Sequence, residues 1–322
     1  MKKVKLIEVK SELGAGTRGA SLGVDALKTA CLNKNSAYFK LVNSVEVPNL
    51  NHVLFDKNLF PSAKYLDSIL TVQKNICAVV TQTVELGMFP VMLAGDHSNS
   101  AAAIAGIKQA YPGKTLGLVW IDAHADCHSP FTSPSGNVHG MPVAAALNED
   151  NLKCRINSLD PETLFFWQAL KRVGVGGPKI KYRHLVYIMV RDTEAAEDIL
   201  IRDHHVKNFA YAEFNQKGPR QVAEETLQQL EECDLLYVSF DVDSLDPKFS
   251  KGTGTPVDVG LTVAQAKELC YHLLRSPKVC CFDLVEINPT LDTENTMAHN
   301  AFEILEVATE AILERETNPA PL

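Results

Sequence analysis

The hydrophobic pattern of the chain alternates between short apolar runs and longer stretches with helical periodicity. Seven runs rich in β-branched residues indicate buried strands, and they cover residues 4–9, 41–47, 91–94, 116–121, 185–190, 235–240 and 279–285. Six stretches between them predict helices at residues 63–86, 98–111, 193–203, 220–232, 262–274 and 296–315. Such alternation predicts an α/β fold with three layers, in which helices cover both faces of a central, mostly parallel sheet.

Only one region departs from this alternation. Residues 148–182 have the least regular pattern and predict a long loop. Since no linker rich in Pro, Gly or Ser divides the sequence and no repeat is visible, residues 1–322 are predicted to form a single domain.

The composition narrows the functional class. The 322 residues are 46% hydrophobic and 22% charged, and the formal net charge is −8. This acidic balance argues against nucleic acid as a partner, which would require a basic surface. No apolar run approaches the roughly 20 residues of a membrane span, and the N-terminus lacks the apolar segment of a signal peptide. Eight cysteines without a CxxC pair are expected to be reduced, so we predict a cytoplasmic protein.

Three short polar strings follow three of the apolar runs. They are Asp96-His97, Asp122-Ala-His124-Ala-Asp126 and Asp241-Val-Asp243. Side chains two residues apart point to the same side of an extended chain, and ligands of open parallel sheets bind at the carboxyl ends of the strands. A single Asp after a strand is usually a turn former. Six His and Asp side chains in three such strings instead predict a site for two divalent metal ions.

The types of donor atom restrict the metal. Carboxylate oxygen and imidazole nitrogen without thiolate suit Mn²⁺, although Co²⁺, Ni²⁺ and Fe²⁺ also accept this set. A structural zinc site would favour four Cys and His ligands, and Mg²⁺ takes little imidazole. The donor set therefore predicts two divalent ions per subunit, for which Mn²⁺ is suited without being separated from Co²⁺, Ni²⁺ or Fe²⁺.

The same strings resemble the ureohydrolase family, which contains arginases, agmatinases and related amidinohydrolases. The resemblance spans roughly the whole chain, and it is carried by Gly95-Asp96-His97-Ser98, by residues 122–126 and by Ser239-Phe-Asp241-Val-Asp243-Ser-Leu-Asp-Pro247. Within the family the chain looks most like the arginases, because Ser135-Gly-Asn137-Val-His139-Gly140 matches their substrate loop. This implies a binuclear manganese centre, hydrolysis of a guanidinium group to urea and an amine, and a homo-oligomer, either a trimer or a hexamer.

The resemblance also implies roles for individual residues. It gives one ion the ligands His97, Asp122, Asp126 and Asp241 and the other ion the ligands Asp122, His124, Asp241 and Asp243, with Asp122 and Asp241 bridging. Asp126 would also orient the attacking water-derived nucleophile. His139 would deliver a proton to the departing amine, and Glu286 would pair with the planar guanidinium.

A second set of residues is implied to bind the rest of the substrate. It comprises His128, Ser133, Ser135, Asn137, Glu194, Glu197 and Thr255. Two of these depart from the arginase pattern in functional group or length, since His128 stands where arginases have Asn and Glu194 stands where they have Asp. Ser133 stands where a Thr is usual and keeps the hydroxyl. The extra methylene of Glu194 moves its carboxylate by more than ~1 Å, which matters in a tight site.

These observations predict hydrolysis of L-arginine to L-ornithine and urea. Because the distal contacts depart from the pattern, another guanidino compound remains the alternative, whether agmatine, guanidinobutyrate or another guanidino acid. A metal-free binding or scaffold protein would be favoured by loss of a ligand, but all six are present. An unrelated two-metal amidohydrolase or phosphatase does not account for the loop 135–140 and Glu286 together.

Overall fold

The computed structural model describes residues 3–317 and has an open sheet of eight parallel strands in this part of the chain. The strands are β1 (Val4–Val9), β2 (Asn43–Glu46), β3 (Phe89–Ala94), β4 (Leu116–Ile121), β5 (Leu185–Ile188), β6 (Lys207–Phe209), β7 (Leu235–Asp241) and β8 (Val279–Val285). Their order across the sheet is β2-β1-β3-β8-β7-β4-β5-β6, and every pair is parallel. The predicted fold class is confirmed.

The apolar content of each strand matches its place in the sheet. Every residue of β3 and β4 is buried, which is expected of inner strands covered on both faces. The edge strand β2 is mostly exposed. The predicted strand at 41–47 is wrong in its first residues, because Tyr38–Leu41 forms a short helix. The other edge strand, β6, was not predicted from the sequence and has only three residues.

Ten α-helices surround the sheet in the described residues. They are α1 (Gly23–Asn33), α2 (Tyr38–Leu41), α3 (Leu66–Glu85), α4 (Ser100–Ala110), α5 (Pro142–Leu147), α6 (Pro161–Lys171), α7 (Ala195–Asp203), α8 (Tyr211–Gln229), α9 (Val263–Leu274) and α10 (Thr296–Thr317). One face of the sheet packs against α1, α8, α9 and α10, and the other packs against α3, α4, α5, α6 and α7. None of the helices within residues 3–317 has the length and apolar character required to cross a bilayer.

The prediction of a long loop at residues 148–182 was wrong. This region, predicted as a loop, contains α6, whose first turn is capped by Asp160. The Asp160 carboxylate accepts the backbone N–H groups of Glu162 and Thr163, and Pro161 occupies the first turn, where its missing N–H costs nothing. Helices α1, α2 and α5 were also missed, and α8 begins nine residues earlier than predicted, with a break at Gly218 (φ 80°).

The strand order explains why distant polar strings meet. Strands β3, β8, β7 and β4 are consecutive neighbours in the sheet, and their carboxyl ends therefore share one edge. Each of these strands ends in or is followed by acidic or histidine side chains. The fold thus places residues from four separate segments of the sequence in one small volume.

Candidate metal centre

The first half of the centre surrounds His97, which follows β3. Its Nδ1 atom lies 3.0 Å from Asp122 Oδ2, 3.0 Å from Asp241 Oδ2 and 3.2 Å from Asp126 Oδ2. All four side chains are buried or nearly so. The imidazole also stacks on Trp120, with the ring centres 4.0 Å apart, which holds the ring plane in position.

The second half surrounds His124, in the loop after β4. Its Nδ1 atom lies 3.0 Å from Asp243 Oδ2 and 3.5 Å from Asp122 Oδ1. Asp122 therefore presents one oxygen to each histidine. Two groups of side chains could each hold a metal ion, and Asp122 belongs to both of them.

Turns, rather than continued strands, bring these residues together. The extended geometry anticipated for residues 122–126 ends with β4 at Ile121, and Asp126 has a positive φ of 50°. The His124 N–H donates to Asp122 Oδ1 (2.7 Å), and the Asp243 N–H donates to Asp241 Oδ1 (2.8 Å). Each turn fixes one carboxylate oxygen, so that the Oδ2 atoms of Asp122 and Asp241 face His97, and Asp122 Oδ1 also faces His124.

A buried hydrogen-bond chain fixes the orientation of His97. The Ser239 hydroxyl donates to Asp283 Oδ1 (2.6 Å), and therefore its oxygen accepts from His97 Nε2–H (2.8 Å). Asp283 is fully buried and also accepts from the Tyr237 hydroxyl. Partners of this kind orient a histidine ring and raise its basicity as a metal ligand. Nδ1 is left to face the three carboxylates.

The arrangement of these atoms fits bound cations. His97 Nδ1 and Asp122 Oδ2 are buried without a hydrogen-bond partner among the described residues. Burial, reinforced by the charges of Asp243 and Asp122, raises the pKa of Asp241 well above its usual value. Burial and the Asp122 charge raise the pKa of Asp126 to about 7. Four carboxylates packed this closely favour positive charge between them, and two divalent cations would balance all four.

The serine behind His97 provides a test of this orientation. We expect Ser239→Ala to weaken metal affinity by roughly 10- to 100-fold, because such substitutions free the ligand ring. Titration of metal-depleted protein with Mn²⁺, followed by calorimetry, measures the effect directly. Thr309→Ala is the control, because it removes a buried hydrogen bond to the Tyr38 hydroxyl (2.6 Å) far along the sequence on α10. Equal affinities in both variants would contradict the assigned role of Ser239.

The cluster forms the floor of a cavity of about 160 Å³. The residues that line the cavity are His97, His124, Asp126, His128, His139, Gly140, Asp192, Thr193, Glu194, Glu197, Asp241, Asp243 and Thr255. Ten of these were proposed as site residues from the sequence. Gly140, Asp192 and Thr193 were not. Asp192 Oδ2 lies 3.7 Å from His124 Nε2.

Glu286 and the partly buried His139 form a pair beside the cluster. Glu286 Oε1 accepts the His97 backbone N–H (2.8 Å) and lies 3.3 Å from His139 Nδ1. Although burial lowers it, the hydrogen bond and charge of Glu286 raise the pKa of His139 to about 9. The contact with Glu286 thus favours the protonated form of His139. Glu286 has a φ of 68°, a strained conformation of the kind that is common at functional sites.

The two departures from the arginase pattern contact each other. His128 Nε2 lies 2.6 Å from Glu194 Oε2, although the ring N–H does not point along that line. Glu197 is closer to the protein interior, where burial raises its pKa. Its oxygens accept the backbone N–H groups of Glu194 (3.1 Å) and Cys127 (3.2 Å). The carboxylates of Glu194 and Glu197 make one end of the cavity acidic.

Four of the predicted substrate contacts do not line the cavity, namely Ser133, Ser135, Asn137 and Glu286. Ser133 Oγ accepts the Gly136 N–H (2.9 Å), and Ser135 Oγ accepts the Asn137 N–H (3.1 Å). Asn137 Oδ1 accepts from Lys64 Nζ (2.9 Å). The polar groups of Ser133, Ser135 and Asn137 stabilise their own loop in this structure, and their contact with substrate stays a prediction.

Comparison with known proteins gives a consistent result. The family model described as the Arginase family matches residues 2–309. An arginase from Bacillus caldovelox is 32% identical over 308 residues, which is 95% of this chain and 97% of that protein. An arginase from Bacillus subtilis is 30% identical over 308 residues, again 95% of this chain and 97% of that protein.

Solved structures give the same result for the fold. The native structure of the Bacillus caldovelox arginase superimposes with a TM-score of 0.83 at 32% identity, covering 96% of this chain and 98% of that one. An Entamoeba histolytica arginase in complex with L-ornithine gives a TM-score of 0.82 at 26% identity, covering 96% of this chain and 99% of that one.

Proposed function

This chain belongs to the arginase family, and we propose from this premise that it hydrolyses L-arginine to L-ornithine and urea. One observation carries the proposal, namely the cluster of His97, His124 and four carboxylates at the floor of a cavity that also contains His139. Such a cluster suits two divalent cations, and two cations can activate water and polarise a guanidinium together.

We assign the metal ligands as the sequence predicted them. His97, Asp122, Asp126 and Asp241 would hold one ion, and Asp122, His124, Asp241 and Asp243 would hold the other. The spacing of the two histidine-centred groups and the two-sided position of Asp122 support this assignment. The oxygen and nitrogen donors favour Mn²⁺.

The remaining residues bind the guanidinium and move protons. Glu286 would accept hydrogen bonds from the planar guanidinium, with the charge-assisted geometry that suits a carboxylate. Thr255 lines the cavity, and its hydroxyl donates to Asp243 Oδ2 (3.3 Å). Asp126 would accept a proton from the attacking water. His139, whose protonated form is favoured by Glu286, would donate a proton to the nitrogen that leaves as the amine of ornithine.

The acidic end of the cavity would bind the amino-acid end of the substrate. Glu194 and Glu197 would attract the α-ammonium, and His128 Nε2–H would donate to the α-carboxylate. The substrate thus would exchange the His128–Glu194 contact for two contacts of its own. Ser133 and Ser135 accept backbone N–H groups at present, and each hydroxyl could still donate its own hydrogen to the α-carboxylate.

A panel of substrates tests the proposed function. Urea release would be measured with L-arginine, agmatine and guanidinobutyrate after reconstitution with Mn²⁺, Co²⁺, Ni²⁺ or Fe²⁺. We expect L-arginine to give the highest kcat/KM. If L-arginine is inert while another compound turns over, the alternative guanidino substrate is correct.

The same panel yields a prediction for His128. We expect His128→Asn to change the ratio of kcat/KM for L-arginine over agmatine by roughly tenfold, since agmatine lacks the carboxylate and a lost polar contact of this kind costs about 1–3 kcal/mol. The matched control is His272→Asn on α9, whose side chain is about 29% exposed and lies outside the cavity. An unchanged substrate ratio in His128→Asn would disprove this role.

We also propose the setting in which the enzyme works. The acidic net charge of −8 supports the absence of a nucleic-acid partner, and the reduced state of all eight cysteines agrees with a cytoplasmic location. The family relationship supports a homo-oligomer, either a trimer or a hexamer. Analytical ultracentrifugation would determine the oligomeric state.

A further inference from the structure

A second space adjoins the catalytic cavity. It is a groove of about 360 Å³, and it shares two lining residues, His128 and Glu194, with the cavity. These two residues form a wall between the spaces, with His128 Nε2 and Glu194 Oε2 2.6 Å apart. The Glu194 side chain is 55% exposed and can therefore turn without disturbing the core. A ligand whose outer end reaches this wall can continue into the groove.

The lining of the groove is mainly carbon. Beyond the shared wall, six of its eight lining residues are Pro134, Cys154, Ile156, Ala195, Ala196 and Ile199, and the other two are Thr132 and Lys153. Ile156 is 65% exposed, so its branched side chain gains free energy when a ligand covers it. The groove therefore favours an aliphatic group over a polar one.

Charges differ between the two ends of the combined space. Asp192, Glu194 and Glu197 make the outer part of the cavity acidic. Lys153 is the one lysine or arginine that lines either space within the described residues, and it lies in the groove. Its ion pair with Asp203 is exposed and contributes little. A ligand with positive charge at the cavity end and negative charge at the groove end matches this distribution.

We propose that the groove is a substrate subsite for the second residue of short peptides that begin with arginine. The proposal rests on the proposed function, because the guanidinium of the first residue must reach the metal centre. The free α-ammonium of that residue faces Glu194 and Glu197, and its carbonyl oxygen accepts from His128 Nε2–H. An apolar second side chain covers Ile156, and the terminal carboxylate of a dipeptide faces Lys153.

The chemistry is the same as that with free arginine. Water adds to the guanidinium carbon and the bond from that carbon to Nε breaks. The departing nitrogen takes a proton, urea leaves, and an ornithyl peptide remains. The peptide bond is untouched, so the product from arginyl-leucine is intact ornithyl-leucine.

Three substrates test the subsite in the manganese-loaded enzyme. Urea release is measured with L-arginine, arginyl-leucine and arginyl-glycine, and ornithyl-leucine is identified by mass spectrometry. We expect kcat/KM for arginyl-leucine to exceed that for arginyl-glycine by roughly tenfold, as burial of one aliphatic side chain allows. Free ornithine in place of ornithyl-leucine would reveal prior cleavage by a peptidase and would count against the proposal.

A substitution in the groove separates the subsite from the catalytic centre. We expect Ile156→Asp to lower kcat/KM for arginyl-leucine by about tenfold and to leave that for L-arginine unchanged. Leu32→Asp on α1, where the leucine is 74% exposed, is the control and should change neither. If L-arginine is hydrolysed while arginyl-leucine is inert or no better than arginyl-glycine, the subsite is disproved and the proposed function stands. If no compound releases urea, both fail.

Discussion

The Asp126→Asn variant is expected to lose roughly 10³-fold in kcat/KM for L-arginine, within the range that positioned acid–base groups supply. Asparagine has nearly the same shape as aspartate, but its amide is neutral and cannot accept the proton of the attacking water. The substitution also removes one of the three carboxylates that face His97 Nδ1, at 3.2 Å. A coupled assay for urea measures the loss.

Two measurements separate the roles of Asp126 in this result. Metal content determined by mass spectrometry shows whether the variant still binds both ions, and Asp246→Asn serves as the matched control. Asp246 belongs to the same string as Asp241 and Asp243, but its carboxylate pairs with Lys248 (2.9 Å). If Asp126→Asn retained activity within tenfold of the unaltered enzyme, Asp126 would not be the proton acceptor.

The metal centre was predictable because parallel strands end at one edge of a sheet. Three strings that lie far apart in the sequence each follow an apolar run, and that pattern alone indicates convergence. The side chains after β4 converge for a different reason from the expected one, since the chain leaves the extended conformation after Ile121. Backbone N–H groups of the turns, including that of His124, then orient the carboxylates.

The roles of residues around the metal centre could be predicted from the local sequence less reliably than the centre itself. Ser135 and Asn137 were expected to contact substrate, but their polar atoms bind within the loop and to Lys64. A hydroxyl close to a turn can satisfy a backbone group or a ligand, and the sequence does not distinguish these outcomes. The strand β6 was missed because three residues carry too little periodicity.

The sequence contains a helix-start signal for α6, but the irregular pattern around it led to the prediction of a loop. Asp160 followed by Pro161 is a strong helix start, and Trp167 and Leu170 belong to the buried face of α6. The polar residues before and after this stretch obscured its periodicity. The tertiary contact of Lys171 with Asp150 (2.6 Å), which buries a charged residue, has no counterpart in a local pattern.

Contact between His128 and Glu194 links specificity to the fold. These residues come from loops after β4 and β5, which are neighbouring strands. A substitution of one residue therefore alters the surroundings of the other. Taken alone, the Glu194 side chain is longer than that of the aspartate in arginases and displaces the carboxylate from the position that the aspartate would give it. Together with an imidazole 2.6 Å away, the added length places the carboxylate against His128. The two departures are therefore best treated as one feature of the site.

Removal of metal is expected to abolish turnover and lower the thermal stability of the protein. Chelation leaves four buried carboxylates close together without positive charge between them. Conversely, a metal ion present at a concentration of 100 times its Kd stabilises the folded state by about 2.7 kcal/mol per site. We expect readdition of Mn²⁺ to restore activity and to raise the Tm by several degrees. Calorimetry of the depleted and reloaded protein measures both changes.

The number of ions bound by matched variants tests the two-site geometry. Because Asp122 faces both histidines, Asp122→Asn should impair both sites and leave less than one ion per subunit. His124→Asn should lose only the ion beside Asp243, and Asp246→Asn should bind two ions as the unaltered enzyme does. An active, extensively dialysed enzyme without any transition metal would contradict the whole catalytic assignment, since the carboxylate cluster would then have no cation to activate water.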